Sequence, residues 1–257
     1  MSQAILNSYI GKSLYRTHIS GELLEVREQD NYRWFHYGGD IVQAAIDTLN
    51  RENVLLPVPQ SMLLFLLWHK SPLHVLNLGM GAGTIENALT GFTDIQITSV
   101  EAELEIIEMA KRYFLSSEKN NIIHDNAEDF LRTTTQSYDI ILCDIFFKQQ
   151  SPMCLYSKSY YQYLDGQLSS SGTVFINLFP ENEENLLRIL TVSRPNFDHI
   201  ALIKFDDYQN IILILSKVAL PNKAQLTSWD NSPDKLSMIS FKQHINNIYY
   251  VPVRAIQ

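Results

Sequence analysis

From Leu73 onward the chain alternates between two kinds of segment, and this alternation restricts the fold more than any other feature. The apolar runs "LHVLNL", "IQITSV", "NIIH", "YDIILCDIF", "TVFINLF" and "HIALIKF" are separated by "TIENAL", "ELEIIEMAKRYF", "AEDFLRTT", "SYYQYLDGQL" and "NLLRILTVS", whose apolar spacing is helical. Strands that are apolar on both faces and alternate with helices build a parallel sheet covered on both sides, an α/β fold. "NIILILS" lies close enough to "HIALIKF" to pair with it as a hairpin at one sheet edge.

The first fifty residues have a different rhythm. "ELLEVRE", a polar turn at Gln29 to Asn31, "YRWFHY", a Gly38-Gly39-Asp40 turn and "IVQAAI" read as short antiparallel strands. Pro57 and Pro59 punctuate a loop, after which Ser61 is expected to cap a helix running to His69. The organisation expected is a small β-strand domain over 1–50, an α/β domain over 51–220 and a C-terminal extension over 221–257. That extension is polar, then aromatic at "IYYVPV", and its placement does not follow from the pattern.

Composition narrows the function. With 46% apolar residues the chain can bury a large core, and a net charge of −8 argues against nucleic acid as a partner. The most apolar segment, "MLLFLLW" at 62–68, is too short to span a bilayer, so a core helix and no membrane partner are expected. Met1 to Ile10 has neither a basic start nor a long apolar stretch, so no secretory signal is expected there. Cys143 and Cys154 form no metal spacing, and Cys143 sits in an apolar run, which suits a buried free thiol and a reducing, cytoplasmic compartment. The seven histidines do not cluster, so no metal is expected; His36 reads as a surface strand residue.

The chemistry concentrates in "VLNLGMGAGTIENALTG", where Gly79, Gly81 and Gly83 fall in the first strand-to-helix turn. In an open parallel sheet such turns face the ligand. One glycine is explained by a tight turn; three at alternate positions point to close approach by a ligand. The dinucleotide fingerprint wants a glycine or alanine where Thr84 stands. Glu101, ending the next strand, can accept hydrogen bonds from both hydroxyls of a ribose. The pair suggests an adenosyl compound without a pyrophosphate, S-adenosylmethionine or a relative.

An ordered series of segments resembles the spermidine synthases, or polyamine aminopropyltransferases, and particularly their divergent bacterial relatives. The series is "YRWFHYGGDIVQAAID", "VLLPVPQSMLLFLL", "VLNLGMGAGTI", "VEAELEIIEMAKRYF", "NAEDFL" and "YDIILCDIF", within a resemblance running from about residue 30 to about 215. It implies a Rossmann-like class I methyltransferase fold preceded by a small β-rich domain, and a homodimer. It also implies transfer of an aminopropyl group from decarboxylated S-adenosylmethionine to a small amine such as putrescine. By position it puts Gln43 at the cofactor, Glu101 at the ribose, Asn126 with Asp125 just before it at the adenine, and Asp144 at the attacking amine. An alkylammonium cannot attack carbon until it loses a proton, and a partly desolvated carboxylate at a strand end can take that proton.

Three positions depart from the family pattern. Ala82 stands where an aspartate holds the cofactor's amino end, Phe147 where a second aspartate helps bind the amine, and Asn126 where an aspartate contacts the adenine. The first two remove negative charge from the places a cationic substrate needs it; Glu181 and the tyrosines of "SYYQY" are candidate replacements. Two other expectations follow: a methyltransferase using intact S-adenosylmethionine, or a catalytically degenerate relative that binds an adenosyl ligand.

Overall fold

The computed structural model describes residues 10–117, 121–145, 152–229, 239 and 241–253. Four antiparallel strands come first: β1 (Lys12–Ile19), β2 (Glu22–Gln29), β3 (Tyr32–Tyr37) and β4 (Val42–Asp47), paired in chain order. β1 escapes the sequence pattern because it is an edge strand, half exposed, with Lys12, Ser13, Arg16 and Thr17 among its eight residues. Ser20 and Gly21, both at positive φ, turn it into β2. Trp34, Phe35 and His36 are all buried, so β3 is covered on both faces. His36 is therefore not a surface residue; it lies opposite the buried Glu25 and accepts the Trp34 indole N–H at 3.2 Å.

Helix α1 spans Pro57–Met62 and passes into a 3₁₀ segment, Leu63–Leu67. The expected cap at Ser61 is corrected. The helix starts at Pro57, since proline lacks the N–H that a first helical residue leaves unpaired anyway, and Ser61 Oγ instead donates to Val58 O. Met62 to Phe65 are buried in the core, as a core helix requires.

An eight-stranded sheet follows. Its strands are β5 (Leu73–Leu78), β6 (Ile95–Glu101), β7 (Asn121–His124), β8 (Tyr138–Cys143), β9 (Leu168–Leu178), β10 (His199–Lys204), β11 (Ile211–Ser216) and β12 (Ile248–Val251), in spatial order β12-β10-β11-β9-β8-β5-β6-β7. β7, β6, β5, β8 and β9 are mutually parallel; β11, β10 and β12 pair antiparallel. The hairpin β10–β11 forms as expected but is not the sheet edge, because β12 from the unplaced C-terminal segment pairs outside β10.

Helices α2 (Thr84–Leu89), α3 (Leu104–Tyr113), α4 (Ala127–Thr133), α5 (Lys158–Gln167), α6 (Glu183–Ser193), α7 (Lys223–Trp229) and α8 (Phe241–Asn246) fill the connections. Alternate residues of each central strand face opposite layers. Val75, Ile140, Leu142 and Phe175 pack with α1, α2, α7 and α8, whereas Leu76, Ile141, Cys143, Val174 and Ile176 pack with α4, α5 and α6. Burial on both faces is why these strands are nearly continuous apolar runs. A third cluster joins the four-stranded sheet to the rest: Leu24, Val26, Phe35, Ala44 and Ile46 meet Ala82 and, on α3, Ile106 and Met109.

Candidate functional site

The parallel order reverses between β5 and β8, where connections leave in opposite directions and where open parallel sheets take their ligands beyond the strand ends. Two of the sequence candidates meet there. β5 and β8 run in register up to Leu78 and Cys143, so Gly79 and Asp144 emerge side by side, and Asp144 N donates to Leu78 O at 2.8 Å.

The three glycines of the turn have different reasons to be glycine. All three lie at positive φ. A Cβ on Gly79 would meet Asp144 O at 2.4 Å, and one on Gly83 would meet Leu115 Cδ2 at 2.2 Å. The chain itself therefore excludes side chains at both, and the expectation that a ligand demands all three is narrowed. A Cβ on Gly81 would meet nothing within 4 Å among the described residues. Gly81 is the glycine that opens on free space.

Glu101 closes the other side of that space. Its Oε2 accepts the Gly81 N–H at 3.0 Å, and its Oε1 accepts from Ala102 N at 2.9 Å and Glu103 N at 3.1 Å. The side chain is thus fixed against the turn, with acceptor capacity left on Oε2. Burial raises its pKa, while the three backbone N–H groups pull the other way.

Asp125 and Asn126 follow β7. Asp125 N donates to Glu101 O at 3.1 Å, its Oδ1 accepts Asn126 N, and Asn126 Oδ1 accepts Glu128 N at 2.9 Å as the N-cap of α4. Asn126 thus also has a structural duty that its family role did not suggest. Gln43 occupies a β-bulge: pairing passes from His36↔Val42 to Phe35↔Ala44, leaving Gln43 without a partner and exposed. Bulges re-aim side chains beside functional sites, and β4 lies against α2 just beyond the glycine turn.

Asp144 is held by a residue outside the sequence candidates. Asn177 Nδ2 on β9 donates to Asp144 Oδ1 at 2.8 Å, and Asn177 Oδ1 accepts from Asn210 Nδ2 at 3.0 Å. Burial pushes the Asp144 carboxyl up to about 6, with the Asn177 amide lowering it and the charge of Glu101 raising it. Such a group is mostly ionised at neutral pH yet is a better base than a free aspartate. The signal that could have found Asn177 is a single amide inside the buried run "TVFINLF".

The proposed replacements for missing charge fare differently. Tyr160 and Tyr161 are fully buried, bonded to Cys143 Sγ and Leu155 O respectively, and serve the core. Glu181 is exposed before α6, where Asn182 caps the helix through the Asn185 N–H. Among the described residues no group of three or more His, Cys, Asp or Glu side chains could hold a metal, and no helix is long and apolar enough to cross a membrane.

No protein-family model matches the chain. Among curated proteins it is 25% identical over 158 residues to the polyamine aminopropyltransferase of Chromobacterium violaceum, spanning 60% of either protein. It is 22% identical over 217 residues to that of Neisseria meningitidis serogroup A, spanning 82% of each. In structure it resembles a probable spermidine synthase from Corynebacterium glutamicum, with TM-score 0.73 and 16% identity over 88% of this chain and 89% of that one. In sequence the chain is similar to polyamine aminopropyltransferases, and in fold to spermidine synthases. A spermidine synthase solved with the transition-state analogue AdoDATO shares the fold at TM-score 0.66 and 15% identity, covering 91% and 83%. Human methyltransferase-like protein 13, solved with SAH, shares it at 0.60 and 18%, covering 68% and 89%.

Ala82 stands where the resemblance expects an aspartate, and the structure shows what that position does here. Ala82 is 2% exposed and packs in the apolar seam with the four-stranded sheet. A carboxylate there would be desolvated among apolar side chains. Phe147, the second departure, and Phe146 lie outside the described residues.

Proposed function

We propose that the crevice between Gly81, Glu101 and Asp144 binds decarboxylated S-adenosylmethionine and transfers its aminopropyl group to a small amine. The observation that carries this reading is the convergence of open backbone at Gly81, a fixed carboxylate at Glu101 and a base at Asp144 on one strand-order reversal. Gly81 admits the adenosine and the free acceptor of Glu101 takes a ribose hydroxyl. Gln43 reaches the ligand from the bulge, and Asp125 and Asn126 border the adenine. Asp144 accepts a proton from the ammonium; the amine nitrogen then bonds to the methylene attached to sulfur as the carbon–sulfur bond breaks, and the sulfonium leaves as the neutral thioether methylthioadenosine. Alignment supplies most of the remaining acceleration. The wider reading is a cytosolic homodimer, supported by the family resemblance and, for a reducing compartment, by two unpaired cysteines.

A second reading is favoured by Ala82. Without a carboxylate there, nothing at that position repels the carboxylate of intact S-adenosylmethionine, so methyl transfer competes. Incubation with each sulfonium nucleoside and a panel of amines separates the two. Methylthioadenosine formed with an aminopropylated amine supports the first, and S-adenosylhomocysteine with a methylated product supports the second. Asp144→Asn is expected to lower aminopropyl transfer by about 100-fold or more while ligand affinity changes little. An unchanged rate would remove Asp144 from the chemistry.

A further inference from the structure

Behind the glycine turn lies a buried carboxyl group that the proposed chemistry does not use. Glu86, on the first turn of α2, is 1% exposed; its Oε1 accepts from Asn77 Nδ2 at 2.8 Å and from the Ser99 hydroxyl. Asn77 and Ser99 are themselves 2% and 1% exposed. Two atoms of this cluster are buried with no hydrogen-bond partner among the described residues: Asn77 Oδ1 and Glu86 Oε2. They belong to the two partners of one existing hydrogen bond, and both are acceptors when Glu86 is ionised. A buried acceptor without a donor is costly, and an unneutralised buried carboxylate more so.

We propose that Glu86 is held as a neutral carboxylic acid whose Oε2–H donates to Asn77 Oδ1, closing a two-bond acid–amide ring that positions the glycine turn against Glu101. One proton satisfies both orphaned atoms at once. The primary amide of Asn77 presents a donor and an acceptor on the same edge, which is what a protonated carboxyl group complements.

Charge gives the same answer. Glu101 is the titratable group whose charge reaches Glu86 from the neighbouring elements. Of two carboxyls close together in a buried place, one keeps the proton. Glu101 takes three backbone N–H donors spread over both of its oxygens, whereas the Asn77 and Ser99 donors to Glu86 both fall on Oε1 and leave Oε2 for the proton.

The placement makes the ring a clasp. Asn77 precedes Gly79 by two residues, Glu86 follows Gly83 by three, and Ser99 precedes Glu101 by two. Glu86 Oε2 lies 3.6 Å from where a Gly83 Cβ would stand, directly under the turn. The ring thus ties both ends of the turn to the strand that carries Glu101. Glu86 is a positioning residue for the candidate adenosyl site, and this part of the inference rests on that site being read correctly.

The full chain is compared with Glu86→Gln and Glu86→Ala. Glutamine reproduces the neutral acid, its amide N–H replacing the Oε2–H, so it should fold as well as the parent. The infrared difference spectrum of parent minus Glu86→Gln at pH 8 should show the carbonyl stretch of a neutral carboxylic acid, moving in D2O. Because the folded group holds its proton above the unfolded value of 4.5, the parent should lose stability as pH rises from that value toward the folded pKa. The glutamine variant should lack that component of the slope. Methylthioadenosine affinity should stay within about twofold in Glu86→Gln and fall about tenfold in Glu86→Ala. No neutral-acid band, or a glutamine variant as unstable as the alanine one, would overturn the neutral acid. Unaltered affinity in a folded Glu86→Ala would overturn its positioning role. A parent that binds no adenosine compound would overturn the crevice reading and the positioning role with it, while the band and the melts, which need no ligand, still decide the acid.

Discussion

Asp144 does its proposed work through its setting, and the setting can be altered without touching the carboxyl. Burial and the nearby charge of Glu101 favour its neutral form, and the Asn177 amide favours the ionised one. The aminopropyl transfer rate should therefore fall on the acid side as Asp144 takes up a proton near its pKa of about 6. Asn177→Leu removes the Asn177 donor, so the acid limb of the kcat/KM profile should move to higher pH while the profile keeps its shape. A limb that stays in place would show that Asn177 does not tune Asp144. Asp144 was legible in the sequence because it ends an apolar run at a strand terminus. Asn177 and Glu86 were not, because their roles exist only once β9 lies beside β8 and α2 folds back over β5 and β6. The sequence places Asn177 33 residues from Asp144, and no local pattern spans that gap.

The glycine turn shows at the level of an element what spacing can and cannot say. Three glycines in alternate positions mark the turn that follows β5, but spacing does not separate the glycine with open space beside it from those that face the chain. The structure does, and a mutational contrast follows. Gly81→Ala meets no atom and should cost only the about 1–2 kcal/mol of a left-handed alanine, yet its methyl enters the crevice, so adenosyl-ligand affinity should drop. Gly79→Ala drives a methyl into Asp144 O and should destabilise the fold far more, seen as a larger loss in the melting temperature. Equal losses in the two variants would contradict the assignment. The central strands were legible because burial on both faces leaves them almost no polar residue. β1 and β12 were not: β1 is a polar edge, and β12 is a four-residue strand whose Tyr249 and Tyr250 are exposed. α1 was misplaced because its prolines read as a loop, although proline at a first helical position is favourable.

Over the whole molecule, the four-stranded sheet and the eight-stranded sheet share an apolar seam that includes Ala82, so the turn is buttressed on one side by β4 and α3 and on the other by the Glu86 cluster. Gly81, Glu101 and Asp144 all lie at the carboxyl ends of β5, β6 and β8, beside the strand-order reversal. At 22–25% identity to its relatives the chain keeps Gly81, Glu101 and Asp144 where the resemblance expects them but not the aspartates it expects at 82 and 147, so the fold alone does not decide what is transferred. The most direct test is the crystal structure of the chain soaked with methylthioadenosine. A ribose hydroxyl should lie on Glu101 Oε2, the adenosine over the bare face of Gly81, and the thioether sulfur turned toward Asp144. Methylthioadenosine bound away from Glu101, or turned so that its sulfur points away from Asp144, would contradict the account.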